Sequence, residues 1–165
     1  MQPTAPARPS AVRLVPCVRP LDIMTIESGL AVLCEMLRAQ TGVEVFLSRP
    51  DDAVAGIYVW PWRLWEEPIH RNLPEPVSPA IEVAHRASAP NVDFLVLVRP
   101  ALTLDGLSSL SEARQAMLDN PILTVDGTAA NLTLDPMPPG VLLNIFSAAA
   151  IPLTVCLSAT LRGRG

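Results

Sequence analysis

NLTLDPMPPGVLLNIFSAAAIPLTVCLSATL, running from Asn131 to Leu161, is the stretch from which the fold can be read. Its first five residues alternate apolar and polar as a strand does, and Pro136-Met-Pro-Pro139 then stops extension and presets a helical φ for the residues after it. Leu142, Ile145, Phe146 and Ala149 recur at helical spacing and predict one buried stripe, with Asn144 and Ser147 off it. Ile151-Pro152 ends that helix. From Leu153 the period becomes two. Leu153, Val155, Leu157, Ala159 and Leu161 share one side and Thr154, Cys156, Ser158 and Thr160 the other, which predicts a half-buried strand.

Working outward, the hairpin signal Asp126-Gly127 joins a strand over Ile122 to Val125 to the one that begins at Asn131. Leu107, Leu110, Arg114, Met117 and Leu118 mark a helix before it, with Ser109-x-x-Glu112 as its capping box and Asn120-Pro121 as its stop. Asn91 to Arg99 is the most apolar run and, bounded by Pro90 and Pro100, fits a central strand. Ala80 to His85 alternates and predicts another strand, reached through a long loop from Pro68 to Pro79. Gly56 to Trp60 is a strand that Pro61 places at an edge or ends, and Val43 to Leu47 is a further strand. Ile26, Leu30, Leu33 and Leu37 define an amphipathic first helix over Asp22 to Gln40, closed by Gly42. The expected core therefore includes Leu30, Leu33, Leu37, Leu95, Leu97, Leu142, Phe146, Leu153 and Val155.

Several of these segments together resemble a known family: Asn120-Pro121-Ile-Leu-Thr124, Leu134-Asp135-Pro136-Met137, Ile145-Phe146-Ser147, and the Pro152-containing entry to the last strand. They are similar to the cap proteins, or tail terminators, of phage-tail-like contractile injection systems, and the similarity covers residues 23–162. The resemblance implies a single α+β domain, a mixed β-sheet with about three helices packed on it. It also implies a homo-hexameric ring that closes the distal end of the inner tube and contractile sheath, assembled in the cytoplasm as part of a phage-tail-like particle. Its last helix departs from the family pattern: Pro138, Pro139, Gly140 and Val141 stand where a polar N-cap and acidic first turn are expected, and Phe146 stands where Trp is common.

Composition bounds what such a chain works on. With 165 residues, half of them apolar, it suits one domain with an ordinary core. Twelve basic residues, all Arg, against 16 acidic ones give a net charge of −4, which argues against a nucleic-acid partner. Cys17, Cys34 and Cys156 have neither disulfide nor metal-ligand spacing, so a reduced setting is expected. Residues 1–20 form a Pro-, Ala- and Arg-rich arm whose prolines interrupt any signal-peptide core, residues 163–165 a short tail, and no apolar run is long enough for a membrane helix.

Catalytic patterns are absent: no GxSxG, no phosphate loop, no HExxH and no Cys/His cluster. The acidic pair Asp51-Asp52 reads as a solvated turn and His70 as a surface loop residue, although Asp51 and His85 could meet in the fold. No enzyme activity, cofactor or metal is therefore expected. The distinctive feature is aromatic: Tyr58, Trp60 and Trp62, with Arg63 and Trp65, concentrate four of the seven aromatic residues in one ribbon. It reads either as a lid on the core or as an interface patch, since Trp, Tyr and Arg are the residues of interface hot spots. Beside the cap, two alternatives stand: a monomeric adaptor binding a peptide on the Trp patch, and a small hydrolase.

Overall fold

The final strand of the sequence becomes the axis of the observed architecture. In the computed structural model, which describes residues 26–51, 53–65, 91–100, 103–125 and 127–163, it lies in the interior of a six-stranded sheet. The elements are α1 (Ile26–Thr41), β1 (Val45–Leu47), β2 (Gly56–Trp65), β3 (Asn91–Arg99), α2 (Leu104–Asp119), β4 (Ile122–Val125), β5 (Thr128–Leu134), α3 (Pro139–Ala148) and β6 (Cys156–Gly163). Strand order is β1-β2-β3-β6-β5-β4, with β1 parallel to β2 and every other pair antiparallel. This is the expected mixed-sheet α+β domain. The expected strand at Ala80 to His85, with His70 and His85 and the arm, lies outside the described residues.

Helices cover both faces of this sheet. On the first face α1 and α2 bury Leu30, Leu33, Leu37, Leu110 and Met117 against Ile57, Val59, Phe94, Val96 and Leu161. Residues two apart on a strand share a face, so the intervening side chains of β2 and β3 must point the other way. There Tyr58, Leu95 and Leu97 meet α3 through Phe146. The continuous apolar run of β3 reflects this double covering. Arg38 ties the first layer together, donating to the Val45 carbonyl at 3.0 Å while pairing with Glu35 and Glu44.

Four expectations are corrected by the structure. Leu153 and Val155 are 59% and 49% exposed, because β6 begins at Cys156, where pairing to Leu97 first becomes available. Helix α2 begins at Leu104 with Thr103 as its cap, accepting from Gly106 N at 3.0 Å; Ser109 instead donates to the Asp105 carbonyl within the helix. Its buried stripe is Leu110, Ala113, Ala116 and Met117, while Leu107 and Leu118 are exposed. Lastly, β2 does not end at Pro61. It continues to Trp65, bulging between Pro61 and Arg63, and β1 pairs only as far as Val59, so the proline lies beyond the reach of β1.

Turn chemistry follows the sequence closely elsewhere. Gly42 has φ 65° and returns its N–H to the Arg38 carbonyl at 3.0 Å, ending α1. Helix α3 ends in the same manner without glycine. Ala150 takes φ 53°, and the N–H groups of Ala150 and Ile151 bond the carbonyls of Ser147 and Phe146.

Candidate functional site

The aromatic ribbon is divided by the bulge in β2. Before it, Tyr58 is buried, its hydroxyl donating to the Val54 carbonyl at 2.9 Å, with its ring 5.1 Å from that of Phe46. Trp60 meets Phe146 of α3 edge to face at 5.9 Å. These two are held under α3 as part of the second core. Trp62, at the bulge, packs against the edge of that core and, with Arg63 and Trp65 beyond it, lines an open cleft of about 340 Å³ past the N-terminus of α3.

The cleft is assembled from four segments. Strand β2 supplies the tryptophans and Arg63, β3 supplies Asp93, β6 supplies Ser158, Thr160 and Arg162, and Asp135-Pro136-Met137-Pro138 with Val141 forms the facing wall. Register brings the polar groups together: Arg63 and Thr160 both stand opposite Asp93 on neighbouring strands. Trp65 Nε1 donates to Asp93 Oδ1 at 3.0 Å, and Arg63 lies 3.9 Å from Oδ2. The guanidinium groups of Arg63 and Arg162 lie 5.8 and 5.5 Å from the Trp65 ring centroid, within cation–π range. Thr160 Oγ1 is 2.8 Å from both Asp93 Oδ1 and Asp135 Oδ2. A hydroxyl has one proton, so it satisfies one of the two carboxylates at a time. Trp62 Nε1 is buried and has no acceptor among the described residues.

Sequence reasoning found the aromatic half of this cleft and missed the polar half. Asp93, Asp135, Thr160 and Arg162 come from three distant segments, and only the register of β6 with β3 on one side and β5 on the other makes them neighbours. Period-two alternation did place Ser158 and Thr160 on one side of β6, which was the available signal.

Asp51 is exposed and accepts from Ala53 N at 2.9 Å, as a turn aspartate does, and its suggested partner His85 lies outside the described residues. Among the described residues no group of three or more His, Cys, Asp or Glu side chains is placed to hold a metal ion. Burial pushes the Cys34 thiol up to about 11 and moves Cys156 in the same direction, so neither is primed as a nucleophile. Among the described residues no helix is long and apolar enough to cross a membrane.

The fold, a six-stranded mixed sheet with helices packed on it, is similar to that of two terminators of contractile injection systems. One is an extracellular contractile injection system, PVC sheath/tube terminator in the extended state, with a TM-score of 0.61 and 14% identity over 88% of this chain. The other is the anti-feeding prophage tube-terminating cap, with a TM-score of 0.58 and 16% identity over 87% of this chain. The matches span 58% and 56% of those neighbours' own lengths. No family model and no curated protein matches the sequence.

Proposed function

We propose that this chain is a cap subunit that closes the distal end of the inner tube and contractile sheath of a contractile injection system, acting as a homo-hexameric ring and not as an enzyme. The observation that carries the reading is the likeness to a sheath/tube terminator over 88% of the chain. A cap has a geometric task. Tube and sheath subunits add head to tail, so a stack has no intrinsic stopping point until a subunit offers one matching face and nothing on the other.

The surface suits work done by contact. Leu104, Leu107 and Val155 are exposed, and the last two line one shallow hollow beside Pro100. Leu143 and Leu153 expose more than half of their surface at α3 and just after it. Exposed apolar groups of this kind suit protein partners. The ribbon Tyr58, Trp60, Trp62, Arg63 and Trp65 is proposed to lie at or beside a subunit or tube contact, with Arg63 and the neighbouring Leu64 exposed.

The test is assembly with tube and sheath proteins of a contractile injection system. Native mass spectrometry at several concentrations, with and without tube, should give a six-chain species, and micrographs should show closed tubes of uniform length. Trp62→Ala/Trp65→Ala should leave the fold intact and yield uncapped or overlong tubes. A wild-type chain that remains monomeric in the presence of tube and sheath would sink the reading. The adaptor alternative has one observation in its favour, the buried Trp62 indole N–H beside an open cleft.

A further inference from the structure

We propose that the Trp62/Trp65 cleft is a seat for a polyproline segment, and that its occupant is the Pro3 to Pro9 segment of this same sequence. Polyproline II turns once every three residues and makes no internal hydrogen bonds, so its carbonyls remain available and its prolines line one edge. Proteins recognise it with flat aromatic surfaces that take the prolyl rings and with donors aimed at those carbonyls. The cleft offers both. Trp62 and Trp65 form one wall, and Pro136, Met137 and Pro138 form the other. Trp62 Nε1 is buried and has no acceptor among the described residues, a cost that a ligand carbonyl would remove.

The sequence supplies a segment of matching period. Pro3, Pro6 and Pro9 recur every third residue, so in polyproline II they share one edge. Arg8 follows Pro6 by two residues, and of the cleft's charged groups Arg63 and Arg162 lie over Trp65 and Arg63 pairs with Asp93, which makes Asp135 the carboxylate for Arg8. Thr160 satisfies one carboxylate at a time, which leaves acceptor capacity for a guanidinium. Reach is sufficient. Residues 10–25 can span roughly 55 Å when extended, against a six-stranded sheet about 25 Å across, so Pro9 can pass from α1 on one face to the cleft on the other. Segment and cleft both belong to the single chain, so the seat is independent of whether the chain caps a tube.

The experiment uses full-length protein. With p-benzoylphenylalanine in place of Ala5, irradiation should cross-link the arm to the segments holding Trp62, Trp65 or Met137, as read by mass spectrometry; products of one-chain or two-chain mass both meet the proposal. The full-length variant Pro3→Ala/Pro6→Ala/Pro9→Ala should bind a synthetic peptide of residues 2–13 saturably, with a change in tryptophan fluorescence. Adding Trp62→Phe, which keeps a ring and removes the N–H, should weaken that peptide about fivefold, the usual effect of one neutral hydrogen bond. Asp135→Asn should weaken it in a salt-dependent manner and serves as the second variant if Trp62→Phe lowers the melting temperature. Cross-links confined to other surfaces, or no saturable binding of the peptide by the folded variant, would overturn the proposal.

Discussion

Replacing Phe146 by Ala tests whether α3 is held by a single side chain. Phe146 is 1% exposed and the one fully buried residue of α3, set against Tyr58, Leu95 and Leu97 with Trp60 edge-on at 5.9 Å. Leu142 and Ile145 are half-buried, and the helix begins at Pro138 with no side-chain cap. Removing a buried phenyl ring costs about 3 to 5 kcal/mol, in line with ~150 to 250 Å² of lost burial at ~25 cal/mol per Å². The first core, under α1 and α2, does not include Phe146 and is left whole. The loss should therefore appear mainly as local opening of α3, a low-stability unit detaching from an intact sheet. Hydrogen exchange measures this directly. Amides of Leu142 to Ala149 should lose protection by about two to three orders of magnitude, the equivalent of 3 to 4 kcal/mol, while those of β3 change far less. The emission of Trp60 should shift to the red as its partner ring is lost. Uniform loss of protection across β3 and α1 would show that α3 and the sheet open as one unit, and a change under about 1 kcal/mol would refute the idea that Phe146 anchors the helix.

Three further outcomes are expected. Gly56→Ala would place a Cβ 2.7 Å from the Phe46 ring and 2.8 Å from the Glu44 carbonyl, so denaturant unfolding should show a loss of about 1 to 3 kcal/mol. Ala150→Gly should gain up to about 1 kcal/mol, because φ is 53° there and glycine occupies that region without a Cβ penalty; a loss in thermal melting would count against it. Burial raises the Cys34 thiol from its ordinary 9.0 to about 11, so between those pH values the unfolded chain releases a proton that the folded chain keeps. Stability should fall as pH rises through that window. Cys34→Ala should show a shallower decline, and an unchanged slope would remove Cys34 as its source.

What the sequence determined was local. Period 3.6 placed α1 and α3, the Asp126-Gly127 signal placed the β4–β5 hairpin, and the apolar run at Asn91 to Arg99 placed the central strand, since each depends on neighbours a few residues away. Leu157, Ala159 and Leu161 do share the first core, but β6 is not the half-buried strand expected, since Thr160 on its other side is buried as well. The same alternation misplaced Leu153 and Val155, because a period says which residues share a side and not where a partner strand begins. Tertiary structure decided that by pairing Cys156 with Leu97. It likewise decided the fate of the aromatic ribbon. The β2 bulge and the placement of α3 over the sheet through Phe146 sent Tyr58 and Trp60 into a core, set Trp62 between that core and an open cleft, and left Arg63 and Trp65 to the cleft. Asp93, Asp135 and Thr160 became one cluster only through strand register, and register is fixed by which faces can be buried together, a property of the whole sheet rather than of any segment.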